Sequence, residues 1–259
     1  MPINPFPEAG GLYHPRNEHD SCGIGFVAHI KGQSSHEIIR RGLDVLLNMD
    51  HRGATSADNA TGDGAGILIQ IPHTFITRTL GIDAGLPGRY ATGLIFLPKI
   101  EEEAALCLDV LNRHIHDEGL ELIGYRDVPV DHTAPGKIAL TTEPAIKQIF
   151  VRSHLEQDAL ERKLFVVRKL TEHTIRQSHL SQKRWFYQPS FSSKVLIYKA
   201  MFTPRQLIDY YADLSDERLT SAIALVHSRF STNTFPTWDL AQPFRVIAHN
   251  GEINTIRGN

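Results

Sequence analysis

Apolar residues in this chain come in short runs, at 65–71, 90–97, 194–200 and 221–227, each seven or eight residues long. Runs of that length, bounded by Gly, Pro and polar residues, predict buried strands rather than helices. Between them lie stretches with apolar residues at helical spacing. No run approaches the roughly 20 residues needed to span a bilayer, which argues against a membrane protein. Within 22–259 there is no internal repeat, low-complexity tract or linker. The pattern predicts one domain that mixes strands with helices.

The other elements follow by the same reasoning. Residues 35–51 place Ile39, Leu43, Leu46 and Leu47 on one helical face, opened by Ser35 with Glu37 in the first turn and stopped by Gly53. Residues 101–118 begin with three glutamates and carry Leu108, Leu111 and Ile115 on one face, predicting a helix. Further strands are predicted at 120–128 and 146–152, separated by a loop around Pro135 and Gly136, and a helix near 204–213 with Pro204 at its start. The stretch 156–180 reads both ways, because its ends look helical whereas Leu164, Phe165, Val166 and Val167 favour extended structure. Hydrophobic residues make 41% of the 259 and charged residues 22%, a balance that excludes a disordered or fibrous chain. Lys and Arg number 27 against 29 Asp and Glu, so no basic footprint for nucleic acid is present. The two cysteines, Cys22 and Cys107, exclude a disulfide scaffold and cannot alone ligate an iron–sulfur cluster or a structural zinc. A reducing compartment is expected.

Residues 1–21 are rich in Pro, Gly and charge and lack the apolar stretch of a secretory signal. At Cys22 the character changes to an apolar, Gly-containing run through Ala28 that predicts a buried strand. The leader is either a loose terminus or a pro-segment whose removal makes Cys22 the first residue. The second reading gives the thiol a base. A free α-amine titrates near 7.7–8.0, so it can take the thiol proton directly or through water. Otherwise, a buried cysteine is usually inert packing.

Two further blocks carry candidate chemistry. Thr61-Gly62-Asp63-Gly64-Ala65-Gly66 lacks the Lys-Ser/Thr of a phosphate loop and the spacing of the dinucleotide fingerprint, and reads as a tight turn that lies beside the site. The densest block runs from His227 through Arg229 and Thr234, then Trp238, Gln242 and Phe244, to His249-Asn250-Gly251-Glu252. Its polar parts follow the apolar runs 221–226 and 244–248, where side chains leave a sheet edge. Arg229 suits bidentate capture of a carboxylate. The Asn250 amide and Gly251 N–H make a donor pair for an oxyanion, although Asn-Gly is more often a hairpin turn. The fourteen histidines show no HExxH and there is no Cys-x-x-Cys, so they read as solvated or packed, and no metal site is expected.

The blocks at Cys22-Gly23-Ile24-Gly25-Phe26, at 51–66 and at 227–254, in that order, resemble the class II glutamine amidotransferases. The long form of the last block resembles, more narrowly, the amino-terminal domain of the glutamate synthase large subunit. That resemblance implies an α+β fold, the four-layer αββα sandwich of N-terminal nucleophile hydrolases, truncated here at its C-terminal end. It implies a pro-segment 1–21 and an incomplete amidotransferase domain 22–259. Cys22 would be the nucleophile and its α-amine the base, Asn250 and Gly251 the oxyanion hole, with Arg229, Thr232 and His249 binding substrate. L-glutamine would be hydrolysed to glutamate through a Cys22 thioester. The ammonia would be channelled to 2-oxoglutarate amination in other domains that use FMN and a 3Fe-4S cluster, fed by an NAD(P)H-oxidising small subunit or by ferredoxin. No cofactor or metal is expected on this segment, and the location would be the cytoplasm, or a plastid for a ferredoxin-dependent form. In the family the domain continues beyond Asn259 and there supplies an acidic group for the substrate α-amine. Isolated 1–259 is therefore expected to leave an open sheet edge and to aggregate. Three alternatives stay open: a hydrolase of the same fold acting on another amide, a papain-like enzyme with internal Cys22 and a histidine base, and a non-catalytic binding domain.

Overall fold

The structure is a computed structural model that describes residues 22–231, 234–245, 247 and 249. Seven strands and five α-helices are present among them: β1 Gly23–Ala28, α1 His36–Asn48, β2 Ala65–Gln70, β3 Tyr90–Leu97, α2 Glu101–Asp117, β4 Glu121–Asp127, α3 Lys137–Thr141, β5 Ala145–Arg152, α4 Gln157–Gln177, β6 Val195–Ala200, α5 Pro204–Tyr210 and β7 Ile223–Ser228. The strands form two antiparallel sheets, one of order β1-β7-β2-β6 and one of order β3-β5-β4. The fold is thus mixed α and β, as the alternating runs predicted, and both sheets are antiparallel.

Period-two alternation in the first sheet divides its side chains between two faces. Ile67 and Ile69 of β2, Leu196 and Tyr198 of β6, and Ala224 and Val226 of β7 join a core with Ile39, Leu43 and Leu46 of α1. In the second sheet, Ala91, Ile95, Ile149 and Val151 pack with Leu111 and Ile115 of α2 and Leu160, Leu164 and Val167 of α4. Leu94 and Phe96, pointing the other way from β3, belong to the first core. The free edge of β3 is bridged at Thr92 to Ser192 and at Phe96 to Tyr187, in the segment that leads into β6. No helix among the described residues is long and apolar enough to cross a membrane.

Several boundaries differ from the sequence reading. The ambiguous stretch is one helix, α4, of 21 residues. Leu160, Leu164, Val167, Thr171 and Ile175 fall on a single stripe and are buried, whereas Phe165 and Val166 face solvent. Periodicity over five turns outweighs the local β-propensity of four residues. The helix predicted over 35–51 ends at Asn48 and gives way to a 3-10 turn at Asp50–Arg52. Ser35 occupies its N-cap position without capping through its side chain. The Ser35 backbone instead pairs with Ser221. The loop after Gly136 contains the short α3, and the helix near 204–213 stops at Tyr210 before a 3-10 turn. Phe244 and Arg245, read as the start of a strand, lie outside any strand, while Val246 and Ala248 fall outside the described residues.

Replacing fully buried Leu164 by Ala should cost about 3 kcal/mol of unfolding free energy. Val166→Ala, on the exposed face, should cost well under 1 kcal/mol. Comparable losses in denaturant melts would contradict the burial pattern of this helix.

Candidate active site

The register of the first sheet assembles the site. Ser228, the last residue of β7, lies opposite Gly23 of β1 on one side and Ala65 of β2 on the other. One position further along each strand stand Cys22, Gly64 and Arg229. Three blocks far apart in sequence therefore emerge together at one end of one sheet. The Arg229 N–H donates to the Gly64 carbonyl at 2.7 Å, and the Phe230 N–H and carbonyl lie 3.5 Å from the Cys22 Sγ. The thiol is buried, with 4% of the residue exposed.

Arg229 is held by three hydrogen bonds. Nη1 donates to the Asp63 carbonyl at 3.2 Å, and Nη2 to Ser231 Oγ at 3.1 Å and Thr234 Oγ1 at 2.7 Å. These fix the plane of a guanidinium that is itself buried. Asp63 Oδ2 accepts from the Ser231 N–H at 2.6 Å. Burial pushes the Asp63 carboxyl up, against the lowering effect of the Ser231 N–H and the Arg229 charge. The glycine block is a turn beside the site, as read from sequence. Its glycines have a second purpose: a Cβ on Gly66 would meet the Gln242 carbonyl at 2.3 Å, so only glycine lets the 241–242 segment lie across β2.

That segment is anchored by Lys199 of β6. Its buried ammonium donates to the carbonyls of Asp239 and Ala241, each at 2.7 Å, and lies near the rings of Tyr187 and Phe244. Gln242 is thereby brought to His249, with Nε2 to Nε2 at 2.9 Å. His227 Nε2 donates to the His249 carbonyl at 2.8 Å. The Cys22 Sγ and one ring nitrogen each of His227 and His249 lie within 4.8 Å of one another. Cys22, Arg229 and His249 are thus brought together, while Thr232, Asn250 and Gly251 lie outside the described residues. Sequence reasoning gave no role to His227, Lys199, Asp63 or Gln242. The first two are buried in strands that look purely structural, and only sheet register shows where they point.

Buried side-chain polar atoms without a partner concentrate here. Among the described residues they include His227 Nδ1, Ser228 Oγ, Gln242 Oε1 and His249 Nδ1. Buried polar groups are rarely left unpaired, so their clustering beside a thiol and a fixed guanidinium makes this corner the candidate place for a polar ligand.

Burial pushes His227 down to about 4, with the Arg229 charge acting in the same direction and the His249 carbonyl opposing. Between about 4 and the ordinary value of 6.5 the unfolded chain takes up a proton that the folded chain refuses. The stability contributed by the neutral ring is therefore complete above pH 6.5 and lost as pH falls toward 4, by about 3 kcal/mol. Between pH 7 and 4, wild type should lose about that much more unfolding free energy than His227→Gln, which cannot titrate. An unchanged difference across this range would contradict a buried neutral imidazole.

Residues 22–259 match the family model of class II glutamine amidotransferases. The chain is 44% identical over 263 residues to the glutamate synthase [NADPH] large chain of Bacillus subtilis (strain 168), covering 100% of this chain and 17% of that one. It is 42% identical over 264 residues to the glutamate synthase [NADH] of Schizosaccharomyces pombe, covering 98% and 12%. It is 38% identical over 260 residues to the chloroplastic ferredoxin-dependent glutamate synthase of Oryza sativa subsp. japonica, covering 98% and 16%. The chain thus spans about a sixth or less of the length of these relatives. With a match that begins at the buried thiol and takes in the Arg229 corner, this chain belongs to the class II glutamine amidotransferases.

Proposed function

We propose that this chain is the glutaminase part of a glutamate synthase and hydrolyses L-glutamine at Cys22. The observation that carries the reading is the convergence of a buried thiol, a fixed arginine and clustered unpartnered polar atoms at one sheet end. In this reading residues 1–21 are removed, which frees the Cys22 α-amine; the family match beginning at residue 22 supports that boundary. The amine takes the thiol proton and the sulfur attacks the glutamine side-chain carbonyl. The same proton then goes to the departing ammonia, and water hydrolyses the thioester. Arg229 pairs with the substrate α-carboxylate. Thr232 follows Ser231, which binds both Asp63 and Arg229, and His249 contributes to the pocket wall. Asn250 and Gly251, next along from His249, donate to the oxyanion. The two antiparallel sheets, with α1 against one and α2 and α4 against the other, fit the four-layer αββα sandwich of N-terminal nucleophile hydrolases.

The names of the relatives extend the proposal to the whole protein: ammonia passes to 2-oxoglutarate, with electrons from NAD(P)H or ferredoxin, in the cytosol or a plastid. The FMN and 3Fe-4S cluster of that second reaction would belong to other parts of the protein. A cluster requires several thiolates, whereas the second cysteine here, Cys107 of α2, is buried in the core that α2 shares with α4, with its thiol pushed up to about 12 by burial. These residues do not fit a cluster.

One observation favours a second reading, an internal Cys22 with His227 as its base, since the two are close neighbours. A base near 4 is poorly matched to a thiol at neutral pH, however, whereas an α-amine near 7.7–8.0 is well matched. Intact-mass analysis of active enzyme separates them: a chain beginning at Cys22 supports the amine, and activity with the leader attached supports His227.

Cys22→Ala should abolish glutamine hydrolysis and labelling by a glutamine-like diazoketone. Arg229→Lys, which keeps the charge but loses the fork, should raise KM for glutamine about tenfold to a hundredfold. Turnover retained by Cys22→Ala would exclude the thioester route.

A further inference from the structure

We propose that the site also captures a thiophilic divalent cation, with Zn2+ the ion of matching chemistry, through Cys22 Sγ, His227 and His249. The sequence spacing gave no hint of this, because the ligands come from β1's entry, the end of β7 and a segment 22 residues further on. Their candidate ligand atoms nonetheless lie within 4.8 Å of one another. One thiolate and two neutral imidazoles form a ligand set suited to tetrahedral zinc, with a fourth position left for water or substrate.

A second observation points the same way. His227 is wholly buried, and its Nδ1 has no partner, while its Nε2–H is spent on the His249 carbonyl. That bond sets the tautomer and leaves the Nδ1 lone pair available, the outer-shell support that metal-bound histidines use. His249 Nδ1 is likewise buried and unpartnered, and Gln242 reaches the opposite nitrogen of the same ring. With the Gln242 amide turned so that its unpartnered Oε1 accepts from His249 Nε2–H, His249 Nδ1 also presents a lone pair. Bonds of about 2.0–2.3 Å to a tetrahedral ion bring ligand atoms to about 3.5 Å apart. Closing from 4.8 Å therefore needs ring and thiol rotations of about 1 Å.

Binding involves no redox change. The Cys22 S–H bond breaks, its proton passes to solvent, and the sulfur electron pair forms the S–Zn bond. Two imidazole lone pairs complete the protein ligands. Given the glutaminase reading, on which this consequence alone rests, the ion occupies the nucleophile and blocks hydrolysis reversibly.

The test is titration of the chelator-stripped full chain with Zn2+, and with Co2+ as a spectroscopic probe. The expected result is one ion per chain, one proton released, a thiolate-to-cobalt charge-transfer band and the intense visible bands of tetrahedral Co2+. Cys22→Ala should remove the charge-transfer band, and His227→Gln and His249→Gln should each weaken the ion at least about tenfold. No saturable binding, binding unaffected by Cys22→Ala, wild-type affinity in both histidine variants, or a weak octahedral spectrum in wild type would each overturn the site. The wild-type spectrum is independent of whether any variant folds. Metal-free glutaminase assays on the same preparations separate the two proposals. Glutamine hydrolysis without ion binding overturns only the metal site, and ion binding without hydrolysis overturns only the glutaminase reading.

Discussion

The pairing of β7 with both β1 and β2 is the constraint on which the rest of the molecule depends. Antiparallel pairing on either side of one strand places two strand entries and one strand exit at the same sheet end. Ser228 is the shared rung. A slip of one residue in either ladder would turn the alternate side chains over. Ile67, Ala224 and Val226 would then leave the core against α1, and the neighbours of Cys22 would change with them. The burial that stabilises the sheet therefore also fixes the position of the thiol.

Around that corner the protein places polar groups where burial is expensive. Lys199 is fully buried, and desolvation pulls its ammonium well below the ordinary lysine range. Two loop carbonyls and two aromatic faces stabilise it in return. Through this anchor, β6 positions Gln242 and the approach to His249. Asp63 is tied to Ser231 in the same way, so the loop leaving β7 is bound to the turn entering β2. Arg229 is oriented by neighbours drawn from both, which fix the plane of its guanidinium.

The fold was largely legible because its elements carry strong periodic signals. Runs such as 90–97 and 194–200 are bounded and predominantly apolar, and they became β3 and β6 with little change. The sequence left the outcome open, or set a boundary too late, where local preference and long-range packing disagreed. Leu164 to Val167 favour strand locally, yet the stripe from Leu160 to Ile175 needs a helix to reach the core shared with α2. Gly53 looked like a helix stop, but α1 ended earlier, and a 3-10 turn carried the chain onward.

The sequence by itself determined most of the element types, the family, and the blocks that form the candidate site, because spacing and residue type are local properties of the chain. It singled out Cys22, Arg229 and His249 for the same reason. Only the tertiary structure decided that His227 shares a corner with Cys22 and that Lys199 holds the loop beside it. Those relations depend on which strand pairs with which and in what register. A histidine inside an apolar strand reads as packing until the neighbouring strand shows what its ring faces.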